Sequence, residues 1–378
     1  MSLTIVLASI LKPVNDVRLY QKIGQSLAQR FPQDTFHLIG FCPANTPYPL
    51  AKNVHFHPLY KFSRLSWARL GAGIRFLRKL WQLKPQVVVV ATFELLLPVY
   101  LYSWFRKVHI VYDVQENYYR NVRYTQVFAW WLRLPLAWGI RAIERLVHPN
   151  IKHYFLAEAC YLTEMPFVQT KSTVVANKIN RLMQITSNQR TTGWLVYSGT
   201  VSEAYGVFSA IEWVKALHPQ VPTVRLVIVG HCPQAQDWQR LQQLAAQYSF
   251  IQLEVSRTPV PHARIIAHLQ QAHFALLPYQ INQSVKNRIP TKFYECVALQ
   301  TPMLVQINEA WAGFIQRYDA GLLLDFDHLA DAPHHWTQAC QQHFYPHEAN
   351  TTEIYWETEE AKLLKVWKKI RQQVSPSE

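Results

Sequence analysis

Apolar positions along the chain follow two alternating patterns. Short, nearly continuous apolar runs such as QVVVVAT at 86–92 are followed by longer stretches in which apolar residues recur every three or four positions, as at 18–30. The runs are typical of strands buried on both faces of a parallel sheet, and the stretches are typical of amphipathic helices. Their alternation predicts βαβ units and an α/β fold.

The strand-like runs form two sets, separated by a polar, weakly periodic segment at 180–193 that we interpret as a linker. The first set predicts strands at 3–9, 35–41, 53–59, 86–92, 108–114, 152–158 and 172–178. The second set predicts strands at 194–199, 224–230, 250–256, 272–279, 302–307 and 320–325. Helices are predicted at 18–30, at 63–81 and, near the C-terminus, at 358–374.

A chain of 378 residues is too long for one ordinary core, because domains of ~150 residues are usual. We predict two Rossmann-like parallel-sheet domains, at 1–179 and 180–350, that face each other across a cleft. A C-terminal helical segment at 351–378 follows them. Open α/β sheets bind ligands beyond the carboxyl ends of their strands, so the chemistry is expected there.

Charge narrows the class of ligand. The chain has 38 Lys and Arg against 24 Asp and Glu, a formal charge of +14, which indicates an anionic partner: nucleic acid, a phosphorylated small molecule or a membrane surface. No nucleic-acid-binding motif is present. The five cysteines are scattered without a CxxC pair, which predicts neither a disulfide framework nor a zinc site and fits reduced thiols in a cytoplasmic protein.

No targeting or spanning segment is predicted. The apolar N-terminus has no basic n-region and no small-residue cleavage site, so we expect no signal peptide. The stretch 127–140 is interrupted by Arg133 and Pro135 and is shorter than the ~20 residues that a transmembrane helix needs.

The most informative stretch of the second half is NRIPTKFYECVALQTPMLV at 287–305, which predicts a helix beginning near Pro290, a turn and a buried strand. Glu295 lies inside this helix, behind three cations: Lys286, Arg288 and Lys292. We interpret the cations and the helix N–H groups as a diphosphate site and the carboxylate as a partner for vicinal ribose hydroxyls. The alternative is a solvated, charged helix face.

Other turns carry weaker candidates. The turn at 197–206, with Gly199 and Thr200, could offer backbone N–H groups to a phosphate, or it is an ordinary βα turn. Near the N-terminus, Asn15 and Arg18 precede a helix and suit an anion, although Asn15 or Asp16 could simply cap that helix.

The fifth predicted strand ends in a cluster of polar and aromatic residues, YDVQENYYRN. Asp113, Glu116 and Asn117 lie here among tyrosines. Carboxylates accept hydrogen bonds from sugar hydroxyls and aromatic rings cover sugar C–H faces, so the cluster suits a sugar. The alternative is a surface loop with ordinary helix caps.

Four motifs together resemble those of bacterial glycosyltransferases of family 4, which have the GT-B fold. They are LKPVNDVR at 11–18, YDVQENYY at 112–119, SGTVSEAYGV at 198–207 and IPTKFYECVALQTPMLV at 289–305, and the similarity covers essentially the whole chain. The resemblance implies sugar transfer, with retention of anomeric configuration and without metal or cofactor. The donor would be a nucleoside-diphosphate sugar and the acceptor a glycan or a lipid-linked hydroxyl, in cell-surface polysaccharide synthesis.

The resemblance also implies roles for individual residues. Glu295 would bind the donor ribose, Glu309 in the loop 306–313 would contact the donor sugar, and the C-terminal helix would cross back to the first domain. The remaining donor-binding candidates in the second domain are Gly199, Thr200, Arg257, Lys286, Asn287, Arg288 and Lys292. The acceptor candidates in the first domain are Asn15, Arg18, Asp113, Glu116 and Asn117, with Glu116 as the best candidate for a catalytic base.

The chain departs from the family motif at several positions. Asn287 stands where a second glutamate is common, Gln115 where a histidine is usual and Gln300 where a glycine is usual. Ala204 and Tyr205 stand near the place of a basic residue. Two other functions therefore stay open: a non-catalytic scaffold in a polysaccharide assembly complex, and a nucleotide-sugar epimerase, which shares this fold.

The first domain carries a basic amphipathic stretch. Trp67, Leu70, Ile74, Leu77 and Trp81 share one helical face, and arginines and lysines occupy the rest of the stretch. Taken alone, such a stripe is typical of a helix that faces the core, with a solvated basic back. The positive excess, with the aromatic stretch 128–141, favours peripheral contact with anionic lipid on the inner face of the cytoplasmic membrane.

Overall fold

The computed structural model describes residues 2–42, 51–62, 66–125, 127–181, 190–346 and 351–374. Most of the predicted linker 180–193 and the first residues of the predicted helix 63–81 lie outside this part of the chain. The chain forms two compact units, Met1–Asn180 with Trp356–Glu378, and Arg181–Tyr355. Each unit is an α/β domain around a parallel sheet, as predicted.

The first unit has a seven-stranded sheet in the order β3-β2-β1-β4-β5-β6-β7. Its strands are β1 (Thr4–Pro13), β2 (Thr35–Phe41), β3 (Val54–Tyr60), β4 (Val87–Val90), β5 (His109–Val114), β6 (Ile151–Leu156) and β7 (Ser172–Val174). Each strand overlaps its predicted run. The inner strands β4 and β5 are buried along their whole length, whereas the edge strands β3 and β7 are partly exposed. The order reverses between β1 and β4, which is where a doubly wound sheet opens a crevice.

Helices cover both faces of this sheet. They are α1 (Gln25–Arg30), which continues a π-helical segment at Val17–Gly24, α2 (Ala72–Leu83), α3 (Leu96–Phe105), α4 (Tyr118–Tyr124), α5 (Trp130–Val147) and α6 (Tyr161–Glu164). Alternate residues of β1 point to opposite faces. Val6 and Ala8 join a core with α2 and α3, whereas Ile5 and Leu7 join a core with the segment 17–30.

The second unit has a six-stranded sheet in the order β10-β9-β8-β11-β12-β13, with its reversal between β8 and β11. Its strands are β8 (Trp194–Thr200), β9 (Arg225–His231), β10 (Ile251–Ser256), β11 (Phe274–Leu277), β12 (Met303–Gln306) and β13 (Gly321–Leu324). Its helices are α7 (Val207–Leu217), α8 (Ala235–Gln247), α9 (His262–Gln271), α10 (Thr291–Ala298), α11 (Glu309–Arg317) and α12 (Ala332–Gln341).

The C-terminal helix α13 (Trp356–Val374) belongs to the first unit. Trp356, Leu363 and Trp367 recur at helical spacing and are buried in the core that contains the segment 17–30. Polar contacts also hold the helix in place. Glu359 forms an ion pair with Lys178 and accepts a hydrogen bond from the Ala176 N–H group, and Arg371 donates to Asp34 at 2.7 Å. The chain therefore returns to its first domain after completing the second, as predicted.

The turn before β12 places Gln300 in a backbone conformation that favours glycine. Gln300 has φ +53°, in the left-handed region that glycine adopts without steric cost. The glycine usual in the family suits this backbone, and here Gln300 adopts it.

Most of the apolar stripe on α2 and on the turn before it is exposed, so its interpretation as a core-facing stripe is wrong except at Leu77, which packs against the core. The helix buries Ala72, Phe76 and Leu80 instead. Trp67 is 87% exposed and Leu70 75% exposed. Among the described residues, no helix is long and apolar enough to cross a membrane.

Candidate functional site

The reversal point of the second sheet brings α10 beside the end of β8. Gly199 has φ +113°, and a Cβ atom at this position would lie 3.4 Å from Cε of Lys292. The side chain of Lys292, in the first turn of α10, therefore lies against the backbone of the turn after β8. A cation and a side-chain-free backbone meet at the edge where open α/β sheets bind their ligands.

Glu295 is the buried centre of this edge. It is 4% exposed, and its two carboxylate oxygens accept hydrogen bonds from His262 Nε2 at 3.0 Å and from Lys292 Nζ at 2.5 Å. Burial alone would raise the pKa of this carboxyl, but the charge of Lys292 and the hydrogen bond from His262 outweigh it and lower the pKa to about 2. Glu295 is therefore an ionised acceptor, held in one orientation, with lone pairs left for a ligand.

The segment that carries the other two cations is anchored by α11. The side-chain amide of Asn308 donates to the Lys286 carbonyl at 2.9 Å, and Trp311 Nε1 donates to the Arg288 carbonyl at 2.7 Å. Trp311 also packs against Phe293 of α10. The backbone of the cationic loop is thereby tied to the helix that carries Glu295.

The polar side chains of this loop and of the start of α11 differ in exposure. Arg288 donates to the Ser284 hydroxyl at 3.2 Å and is partly buried, as is Lys286. Asn287 and Glu309 are exposed, and Glu309 is the first residue of α11. Asn308, not Glu309, caps that helix, because its side chain accepts from Ala310 N–H. The Glu309 carboxylate therefore has no part in that cap.

The turn after β8 is fixed by its contacts. Tyr197 donates to the carbonyls of Thr200 and Tyr205, both at 3.1 Å. Gly206 has φ +81°, and a Cβ there would lie 1.7 Å from the Pro278 carbonyl oxygen, so only glycine fits. This turn keeps the Gly199–Thr200 backbone at the strand end, with Thr200 exposed.

Arg257 lies farther along the same edge. It follows β10, whose neighbour in the sheet is β9, and its guanidinium donates to the Pro233 carbonyl at 3.1 Å. The Arg257 carbonyl bonds His231, which pairs in register with Thr200. Arg257 is exposed, and it lies five residues before His262, which bonds Glu295.

Replacement of Gly199 by alanine tests the close approach of Lys292. We expect Gly199→Ala to weaken nucleotide binding at least tenfold, because the new methyl group strains a left-handed backbone and displaces the Lys292 stem. Isothermal titration measures the affinity. Gly139→Ala in the first unit is the control, since a Cβ there meets nothing within 4 Å. Equal loss in both variants would show that the approach of Lys292 to Gly199 does not matter.

In the first unit, Arg18 and Asp113 form a buried ion pair. Arg18 is 4% exposed, Asp113 is fully buried, and the shortest contact between them is 2.6 Å. Arg18 also donates to the Val175 carbonyl at 2.8 Å. The pair joins the first helical segment to β5 and β7, so both charges are neutralised inside the domain.

The neighbouring polar residues have separate partners. Asp16, not Asn15, caps the π-helical segment by accepting from two backbone N–H groups. Asn15 is half-buried, and its carbonyl accepts from Gln21. Glu116 is half-buried and accepts from the Asn121 amide at 2.7 Å.

Asn117 is the cap of α4 and is fully buried. Its side-chain oxygen accepts from Arg120 N–H and Arg141, and its amide donates to Glu164 at 2.9 Å. Arg141 in turn pairs with Glu144, whose pKa is raised to about 7 by burial despite that partner. This network fixes the turn that carries Glu116.

Sequence reasoning missed two residues of these edges. His262 is the first residue of α9 and bonds Glu295, but it belongs to no sequence motif. Its position shortly after the predicted strand 250–256 is the one feature that marks it as a candidate. In the sequence, Gln115 stands out as a departure from the family motif and not as a site residue. Its amide donates to Asp113 at 2.9 Å, so the buried ion pair orients it.

The described residues contain no group of three or more His, Cys, Asp or Glu side chains arranged to hold a metal ion. The candidate residues therefore form two polar edges, one in each unit. The edge in the second unit has cationic side chains around Glu295. The edge in the first unit has Glu116 and Gln115, next to the buried Arg18–Asp113 ion pair.

Neither a family model nor a curated protein matches the chain by sequence. Solved structures do match it along its whole length. A sucrose-phosphate synthase from Thermosynechococcus elongatus aligns with a TM-score of 0.73 at 12% identity, over 98% of this chain and 100% of that one.

Two other solved structures differ in the activity that their names state. A UDP-forming α,α-trehalose-phosphate synthase from Burkholderia xenovorans, in complex with glucose-6-phosphate, has a TM-score of 0.64 at 9% identity and covers 96% of this chain and 99% of its own. A putative UDP-N-acetylglucosamine 2-epimerase from Listeria monocytogenes has a TM-score of 0.60 at 10% identity, over 100% of this chain and 98% of that one. At such identities the likeness concerns the fold. Two parallel-sheet domains in Rossmann strand order, with a C-terminal helix on the first, make this chain a GT-B protein.

Proposed function

We propose that the protein is a glycosyltransferase that moves a sugar from a nucleoside-diphosphate sugar to a hydroxyl of a glycan or lipid-linked acceptor, in cell-surface polysaccharide synthesis. The observation that carries this proposal is the Lys292–Glu295–His262 cluster beside Gly199, at the reversal point of the second sheet. The likeness to a UDP-forming synthase along the whole chain supports it.

Each donor group would meet a matching partner in the second unit. Glu295 would accept from the ribose hydroxyls, Arg257 would lie near the base, and Glu309 would contact the sugar. The diphosphate would be held by cations and backbone N–H groups from three segments. These residues are Gly199 and Thr200, then Lys286, Asn287 and Arg288, then Lys292.

Transfer breaks the bond between the anomeric carbon and the diphosphate oxygen and forms one to the acceptor oxygen. The pair of electrons leaves with the diphosphate, whose new charge Lys286, Arg288 and Lys292 would stabilise. The acceptor proton would pass to Glu116 or to the departing phosphate. We propose retention of configuration and no need for metal or cofactor, in line with the family 4 resemblance.

In the first unit we assign positioning roles to the buried groups. Arg18 and Asp113 neutralise each other and Asn117 is a fully bonded cap. These groups would act through the residues they orient, Gln115 and Glu116, which are only half-buried. Asn15 stays a candidate for direct acceptor contact.

The test is calorimetric titration of UDP, GDP, ADP and their common sugar derivatives into the full chain, with and without EDTA. We expect one nucleotide to bind selectively, with an affinity unchanged by EDTA. If no nucleotide binds to the folded protein, the enzyme hypothesis fails and a non-catalytic scaffold becomes the better interpretation.

An epimerase is the second candidate, favoured by the likeness to the Listeria protein. Incubation of the selected nucleotide sugar without acceptor separates the two. An epimerase changes the sugar stereochemistry at once, whereas a transferase leaves the donor largely intact until an acceptor is added. NMR spectra of the anomeric protons distinguish these outcomes.

We further propose a cytoplasmic location with peripheral contact at the inner face of an anionic membrane. The formal charge of +14 and the exposed basic helix α2 support this.

A further inference from the structure

The outer side of one helix layer in the first unit is unusually apolar. Helices α2, α3 and α5 all contribute to the core on the same face of the sheet. Their outward sides nevertheless expose large hydrophobic side chains, including Ile74 at 59%, Trp104 at 63% and Trp130 at 79%, and Trp67, in the turn before α2, is 87% exposed. We call this the outer face of the α2–α3–α5 layer. Exposed apolar residues scattered singly need no explanation, but a concentration on one layer does.

The three helices of the outer face are neighbours. Trp81 of α2 packs against Phe105 of α3 with ring centroids 6.1 Å apart, and both rings remain partly exposed. Helices α2 and α3 approach closely, since a Cβ at Gly73 would lie 3.0 Å from Pro98. Helix α3 contacts α5, whose outward side presents Trp131 and Trp138.

The charge on this layer has one sign. Arg78 and Arg106 are exposed on α2 and just after α3, and Arg145 is exposed on α5. The acids within 66–107 and 127–150 are Glu94 and Glu144. Glu94 pairs with Arg69 and Glu144 with Arg141, so both are already neutralised.

We infer that the outer face of the α2–α3–α5 layer binds an anionic lipid bilayer by inserting its aromatic side chains at the interface, with its arginines at the phosphate level. Tryptophan is enriched at membrane–water interfaces, and a basic, aromatic helix face lies in the plane of such an interface. A second copy of this chain fits poorly, because a two-fold contact would bring the same positive charges together.

The same face adjoins the proposed acceptor edge, which makes a lipid-linked hydroxyl the matching acceptor class. Arg69, beside Trp67, bonds Glu94 just beyond β4. Trp138 contacts Tyr119, and Arg141 of the same helix donates to Asn117, at the turn that carries Glu116. This step rests on the proposed function, whereas bilayer binding does not.

Flotation of the full chain with vesicles tests the inference. The vesicles contain phosphatidylcholine with or without phosphatidylglycerol, and the variants are Trp130→Ser/Trp131→Ser and Trp104→Ser/Phe105→Ser. We expect the wild type to float with phosphatidylglycerol vesicles and each variant to lose at least tenfold in affinity. Val17→Ser, an exposed apolar residue on the segment that covers the opposite sheet face, is the control and keeps wild-type binding.

Fluorescence quenching gives a second measurement of bilayer insertion. Brominated acyl chains are expected to quench tryptophan fluorescence of the wild type more than that of the variants. Absence of flotation, or equal flotation of all variants, overturns the inference; so does a wild-type dimer in solution that the same substitutions dissociate. Nucleotide titration of the variants in solution reports on the donor site separately, so failure here is distinguishable from failure of the proposed transferase.

Discussion

Substitution of Glu295 by alanine is expected to weaken binding of the selected nucleotide by at least tenfold. The carboxylate is buried, ionised and held by His262 and Lys292. Hydrogen bonds to a charged group contribute about 1.5–3 kcal/mol each, which corresponds to roughly ten- to a hundredfold in affinity. Isothermal titration of wild type and variant measures the difference.

A ribose contact can be separated from a general loss of the site. The dideoxy analogue of the nucleotide, without the 2′ and 3′ hydroxyls, is expected to bind the wild type weakly and to bind Glu295→Ala no worse than the parent nucleotide does. Glu212→Ala removes an exposed carboxylate of the same unit, which pairs with Lys215, and serves as the charge control. If the hydroxyls contribute equally in wild type and variant, Glu295 does not bind the ribose.

The lowered pKa of Glu295 sets the pH dependence. Because the folded-state pKa of about 2 lies below the ordinary 4.5, ionised Glu295 stabilises the fold above pH 4.5. This contribution of about 3 kcal/mol is lost as the pH falls through 2. The contribution of Glu295 to nucleotide binding is therefore expected to be constant from about pH 5 to pH 8, which titrations at several pH values would check.

Substitution of Arg18 by methionine is expected to destabilise the protein by about 3–5 kcal/mol, since it leaves the Asp113 charge buried without its partner. The pair is nearly inaccessible to solvent, with a shortest contact of 2.6 Å. Urea unfolding, followed by fluorescence and circular dichroism, measures the loss. The double variant Arg18→Met/Asp113→Leu removes both charges and is expected to recover much of it.

The control is an exposed ion pair of ordinary geometry. Lys215→Met breaks the Lys215–Glu212 pair on α7, where both side chains are about 40% exposed, and solvent screening leaves such surface pairs with little contribution to stability. Should Arg18→Met destabilise no more than this control while lowering acceptor binding, Arg18 would be a ligand contact and not a part of the domain interior.

The strands were predictable because their signal is local. Runs such as 87–90 are buried on both faces, so composition alone marks them, and each predicted run overlaps a strand. The donor candidates were singled out together for a related reason: Lys286, Arg288, Lys292 and Glu295 lie within ten residues of each other, and a helix start brings such neighbours to one end. Their role in donor binding stays a prediction. Arg18 and Asp113 were singled out separately, and their pairing with each other was not predicted.

Long-range partners were not predictable, because no periodicity links positions far apart in the chain. His262 reaches Glu295 from a different helix, and Arg18 reaches Asp113 across the sheet. The stripe on α2 had the spacing of a core-facing helix, yet Ala72, Phe76 and Leu80 face the core instead. Which of two apolar faces is buried depends on the neighbouring helix and sheet.

The sequence by itself determined the class of the fold and the two-domain division, since these follow from apolar periodicity, and the family resemblance supplied the return of the C-terminal helix. Only the tertiary structure decided which charges are neutralised inside a domain, which partners hold Glu295 and which aromatic side chains face outward. Those properties depend on burial and on partners distant in sequence, and they exist only once the chain has packed.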